Sequence, residues 1–154
     1  MAETIVERLE QLGIELPDAP APAANYVPWV ISGNQVFVSG QISQGPDGFI
    51  TGRLGDDMSV EAGQAAARSC ALALLAQLRA ACGGDIERLV RVVKLTGFVN
   101  STPDYTEQPA VINGASNLIG DALGDAGKHA RAAVSAPSLP FGVAVEIDGV
   151  FQIK

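Results

Sequence analysis

The sequence predicts an α+β domain in which a β-sheet packs on two main helices, with an extra helix ahead of it. Three observations predict it: two stretches of helical character at 59–82 and 106–123, short β-rich runs before, between and after them, and Gly or Pro punctuating the junctions. At 154 residues the chain is long enough for one ordinary domain and too short for two.

Ile5, Leu9 and Leu12 stand at helical spacing before Gly13, so 4–12 is read as a short amphipathic helix. Pro17, Pro20 and Pro22 among alanines make 15–24 an extended connector, which divides the chain into a helix and connector at 1–25 and a compact domain at 26–154. The runs 27–31 and 35–38 flank Ser32-Gly33-Asn34 and predict a β-hairpin. Glycines, Pro46 and aspartates make 43–57 a long surface loop, with only 49–51 able to form a brief strand. Ser59 suits an N-cap, and Ala67, Ala71, Leu74, Leu78 and Cys82 follow on one helical face until Gly83-Gly84 stops it. One turn at 85–89 leads into a strand at 90–99. That strand reads Val90, Val92, Lys94, Thr96 and Phe98 on one face and Leu89, Arg91, Val93, Leu95 and Val99 on the other. Both faces are mainly apolar, so something must cover the side that the helices leave open, and a partner subunit is the simplest cover. Pro109 is tolerated in the first turn of a helix at 106–123, and Gly124 ends it. Strands at 130–136 and 143–153 close the chain, the second alternating cleanly and carrying Glu146 and Asp148 on its second face.

Acidic residues outnumber basic ones by 17 to 10, for a net charge of −7, so no general positive field attracts nucleic acid. No apolar run is long enough to span a membrane. Glu3, Glu7 and Glu10 in the first residues are unlike a signal peptide, and a cytoplasmic location is expected. Cys70 and Cys82 sit on one predicted helix about 18 Å apart, too far to pair. With one His and no phosphate-loop, dinucleotide, nucleophile-elbow or zinc motif, neither a metal nor a cofactor is expected.

Arg131 stands among small apolar residues in a strand, where a cation needs a partner: a structural ion pair or an anionic ligand. Glu146 is either a solvated strand residue or the counterpart of that cation. His129 lies two residues before Arg131 and reads as a satisfied side chain sooner than a catalytic one. Asp56 and Asp57 read as loop solvation, since they lack the converging ligands that a hard cation demands.

The order of Tyr26, Val38-Ser39-Gly40-Gln41-Ile42, Phe98-Val99, Asn113, Arg131, Leu139-Pro140 and Val145-Glu146-Ile147-Asp148 resembles the RidA (YjgF) family of imine deaminases, some of whose members are labelled endoribonuclease L-PSP. The resemblance runs from Tyr26 to the C-terminus. It implies a chorismate-mutase-like domain with a mixed sheet, a homotrimer, and three sites in the clefts between subunits. It also implies cofactor-free hydrolysis of reactive 2-imino or 2-enamino acids to 2-keto acids and ammonia. By position, Arg131 would grip the substrate carboxylate, Glu146 would orient or activate water, and Tyr26, Gly40 and Asn113 would line the pocket. A planar guanidinium can hold a carboxylate with two prongs, and a carboxylate acting as base contributes typically about 10²- to 10⁴-fold, which suits this reaction.

Three departures stand out. The family's site cysteine, two residues after the arginine, is Ala133 here, so the resemblance carries backbone contact but no thiol chemistry to that position. The helix before Tyr26 and the 43–57 loop are larger than in compact members, and either can reshape or cap the cleft. Lys128 and His129 place two basic side chains near the clamp. The competing readings are a module that binds 2-keto acids through the same Arg131 without turnover, and a ribonuclease, for which one Trp, two Tyr and the negative charge supply no surface.

Overall fold

The computed structural model describes residues 3–154; Met1 and Ala2, which begin the segment read as 1–25, lie outside the described residues. Helix α1 (Ile5–Gln11) is closed by a capping box: Thr4 Oγ1 accepts from the Glu7 amide, and the Glu7 carboxylate accepts from the Thr4 amide. The Glu87 carboxylate accepts from the amides of Ile5 and Val6 at 3.0 Å each, placing negative charge on the positive end of the helix. Leu9 and Leu16 reach the core.

Strands β1 (Trp29–Ser32) and β2 (Gln35–Ile42) form the expected hairpin, with Gly33 at φ 62 supplying the left-handed turn. The 43–57 loop contains a small ribbon of β3 (Gln44–Gly45) and β4 (Gly48–Phe49), so its strand pairing begins earlier than the expected 49–51. Ser59 caps α2 (Val60–Ala81) by accepting from the Ala62 amide at 3.1 Å. A turn of 3-10 helix at Ile86–Arg88 leads to β5 (Leu89–Asn100). Helix α3 (Gln108–Leu123) has Pro109 in its first turn, β6 is Ala130–Ala136, and β7 is Val145–Ile153.

The five-stranded sheet has the order β1-β2-β7-β5-β6, antiparallel except for the parallel β5–β6 edge pair that α3 connects. Helices α2 and α3 lie on one face and bury Val36, Leu95, Val145, Ile147 and Phe151 beneath them. On β7 every second residue is buried and those between are partly exposed, as its alternation predicts. The strict alternation read into β5 is corrected. Register irregularities at Leu89/Arg91 and Val92/Lys94 turn Val92 into the core on the same side as Leu89, and leave Arg91 and Val93 out of it. The face without helices still carries apolar side chains, including Phe37 at 44% and Val134 at 45% exposure. Among the described residues no helix is long and apolar enough to cross a membrane.

Candidate functional site

Strand β1 pairs with β2 only as far as Trp29↔Val38, and between Val38 and Gln41 the pairing of β2 with β7 is broken by a bulge. Gly40 sits in that bulge. A Cβ built there would stand 2.7 Å from Glu146 Oε2, so the absence of a side chain is what lets the carboxylate lie against β2. A cavity of about 690 Å³ opens beside this point, bounded by the connector, Tyr26, the tip of β2 and residues 140–141. Among the described residues Glu146 is its only charged lining side chain. Burial pushes the Glu146 carboxyl above its ordinary value, and the charge of Asp148 on the same face adds to the rise. The structure therefore brings Tyr26, Gly40 and Glu146 together.

Arg131 lies elsewhere. On β6 it pairs with Leu95, which is buried under the helices, whereas Glu146 pairs with Phe98, three residues along β5. Directly paired residues share a face and residues three apart do not, so within one chain Arg131 and Glu146 point to opposite faces of the sheet, with β5 between their strands. The guanidinium donates to Ser116 Oγ at 3.1 Å and to the Pro109 carbonyl at 3.2 Å, both neutral acceptors. No carboxylate lies within salt-bridge distance of it; the ion pair among the described residues is Lys128–Asp125, at 3.0 Å and largely exposed. The structural ion pair weighed from sequence is thus not formed within the chain, and the guanidinium stands partly exposed. Asn113 lines the same shallow depression, whose volume is about 360 Å³.

A family profile described as "YjgF/chorismate_mutase-like, putative endoribonuclease" matches residues 6–148. The chain belongs to the YjgF/RidA-like family. It is 51% identical over 152 residues to Protein TCP17 of Trypanosoma cruzi, covering 97% of this chain and 94% of that protein. Its fold is similar to that of protein Atu1372 of Agrobacterium tumefaciens, with TM-score 0.90, 50% identity, and 97% and 92% of the two chains covered. It is also similar to RidA of an Antarctic Psychrobacter, with TM-score 0.60, 29% identity, and 88% and 94% covered. The mixed sheet and its helices are those of the chorismate-mutase-like YjgF fold.

In this YjgF/RidA-like chain Ala133 packs partly against the core from β6 and lines neither cavity. His129 donates from Nδ1 to the Gly127 carbonyl at 2.6 Å, and its Nε2 is hydrogen-bonded to the Ser116 hydroxyl at 3.0 Å. It is a satisfied side chain that holds Ser116, and through it Arg131, in place. Asp57 Oδ1 accepts from the Arg53 amide at 2.7 Å, a turn contact. Cys70 and Cys82 are free and buried, and burial pushes the Cys70 thiol far up. Sequence reasoning missed Ser116, Gln77, Phe49 and Phe141. Ser116 was visible as the residue one turn after Asn113, and Gln77 as the polar break in an Ala/Leu helix face.

Proposed function

We propose that the protein hydrolyses reactive 2-imino and 2-enamino acids to 2-keto acids and ammonia without a cofactor, in a homotrimer whose sites join two chains. The observation that carries this reading is Glu146: a lone carboxylate, raised by desolvation, fitted over Gly40 in a cavity with room for an organic acid. It supplies a base and no cation. The cation is at the opposite edge of the sheet, where Arg131 has neutral partners only. Contact of the β6 edge of one subunit with the β1–β2 side of the next would bring Arg131 of the partner subunit to the Glu146 cavity, one site per contact.

In that site the guanidinium grips the substrate carboxylate and fixes the iminium carbon. Glu146 takes a proton from water as the oxygen bonds to that carbon and the C=N π pair moves to nitrogen. Glu146 returns the proton to nitrogen, the C–N bond breaks with its electron pair leaving on ammonia, and the hydroxyl proton passes through Glu146 to that ammonia as C=O forms, so iminium plus water yields keto acid plus ammonium.

The test is a coupled assay in which an amino-acid oxidase generates imines and keto-acid release is followed with and without the protein. Turnover by the parent, lost in Glu146→Gln while 2-keto acid binding persists, supports the enzyme. Equal binding by both with no acceleration on any imine supports the 2-keto acid binding module instead.

A further inference from the structure

The connector before β1 and the 43–57 loop, the parts of this chain that exceed a compact core, both supply walls to the Glu146 cavity. Gln77, 1% exposed on α2, donates from Nε2 to the Pro20 carbonyl at 2.6 Å, and Arg79 donates to the Pro17 carbonyl at 3.2 Å. The Tyr26 hydroxyl accepts from the Ala23 amide at 3.4 Å. These bonds hold residues 20–23 along the cavity as a fixed wall. Pro20 and Pro22 have no N–H, so that wall is poor in donors as well as in charge. Across from it, Phe49 of β4 stacks on Phe141 with ring centroids 5.0 Å apart and planes 19° apart.

Phe141 is held in place at a cost. Its φ of 58 is the only left-handed value at a non-glycine among the described residues, a strained conformation for a bulky side chain, and yet the residue is 60% exposed. In the separate chain this strained aromatic lies outside the buried core, so core packing does not offset the strain. A ligand ring that extends the Phe49–Phe141 stack would. The size agrees: cavities of about 300–1,000 Å³ take drug-sized ligands, and about 690 Å³ is far more than a three-carbon imino acid fills. The cavity's polar side chains are Tyr26, Gln41, Gln44, Gln77 and Glu146, whereas the stretch between residues 20–23 and the two phenylalanines offers a substrate side chain only proline, alanine and aromatic surface, which disfavours a charged one there.

From this geometry we infer that the Glu146 site selects 2-imino acids with a large aromatic side chain, the ring lying between the Phe49–Phe141 stack and the Pro20–Ala23 wall. The inference rests on the proposed imine hydrolysis for its chemistry but not for its specificity, because the 2-keto acid product carries the same side chain. Two measurements keep them apart: kcat/KM for imines made from phenylalanine and from alanine, and calorimetric affinity for phenylpyruvate and for pyruvate. The expected preference for the aryl member is about 10- to 100-fold in each. Phe49→Ala, Phe141→Gly and Gln77→Leu should each cut that ratio several-fold, and a ratio within one variant cancels any general loss of folded protein. Imine turnover with no aryl preference overturns the inference and leaves the hydrolase standing. Aryl-selective keto-acid binding without turnover upholds the inference and overturns the hydrolase. Absence of both binding and turnover overturns the two together, and a ratio unmoved by all three variants removes these walls as its source.

Discussion

Replacing Gly40 with alanine separates a catalytic role for Glu146 from a merely structural one. Gly40 holds no left-handed φ, so alanine strains no backbone there and, by narrowing the unfolded ensemble, favours folding by about 0.4–1 kcal/mol. The obstacle is the carboxylate: the new Cβ would stand 2.7 Å from Glu146 Oε2, 3.0 Å from Cδ and 3.2 Å from Cγ. Restoring an ordinary contact of 3.4 Å moves the oxygen by about 0.7 Å (3.4 less 2.7), a shift that the free end of a glutamate side chain can make cheaply. A displacement approaching 1 Å at a positioned catalytic group costs about 10²-fold in rate. Gly40→Ala should therefore lose about two orders of magnitude in imine turnover with Tm held within about 2–4 °C of the parent, the equivalent of about 1 kcal/mol in a chain of this size. The assay is keto-acid release from oxidase-generated imines, paired with a thermal melt. Turnover within about threefold of the parent would refute the positioning argument, since the carboxylate cannot stay where it is beside that Cβ.

Other expected outcomes follow from the same contacts. Because burial and the Asp148 charge raise Glu146, the folded chain holds that proton more tightly than the unfolded chain. This contribution is fully present below the unfolded pKa and is lost as pH rises through the folded one, so Glu146→Gln should raise Tm near neutrality and confer no advantage in acid; an equal advantage at both ends sinks the argument. Mixing inactive Arg131→Ala and Glu146→Gln chains after subunit exchange should restore about a quarter of parent activity, the share of contacts that draw both intact residues, whereas a site within one chain would restore none. Gly114→Ala should lower Tm, because its Cβ would collide with the Gln64 carbonyl and force α2 and α3 apart at about 1–3 kcal/mol. A melt unchanged by that substitution would mean that the helices are not locked at this crossing.

Most of the fold was legible because its signals are local. Ser59 and Gly83 bracket α2, Gly33 turns the first hairpin, and β7 alternates through a regular stretch without bulges. Strand β5 was legible as a strand but not in its faces, because a bulge shifts the phase of the alternation and leaves no mark in apolar composition. The site residues were legible singly and not in their arrangement. Nothing in the spacing of Arg131 and Glu146 reveals that one pairs with Leu95 and the other with Phe98, and that pairing is what puts them on opposite faces. The walls of the Glu146 cavity were hidden for a different reason. Phe49 and Phe141 lie 92 positions apart in a loop and a turn, where no periodicity predicts a contact.

That opposite placement bears on how copies of the chain must meet if the proposed chemistry is right. The cavity with Glu146 opens toward the β1–β2 side, and Arg131 belongs to the β6 edge. A two-fold contact of one β6 edge with another would bring two guanidinium groups together and leave both carboxylate cavities without a cation, whereas one that lays the β6 edge of each chain on the β1–β2 side of the other would complete two sites. The proposed site needs a β6 edge against a β1–β2 side, and when that contact is made head-to-tail it closes into a ring or runs on as a filament. Each contact made in such a ring completes one site, so assembly and activity should appear together as concentration rises. The exposed Phe37 and Val134 on the helix-free face supply apolar area for that assembly, while Asp148 and Glu146 keep the face from being uniformly apolar in the separate chain. Under the proposed chemistry the location of two charged side chains thus sets which surfaces must meet, a β6 edge against a β1–β2 side, before any interface area is considered.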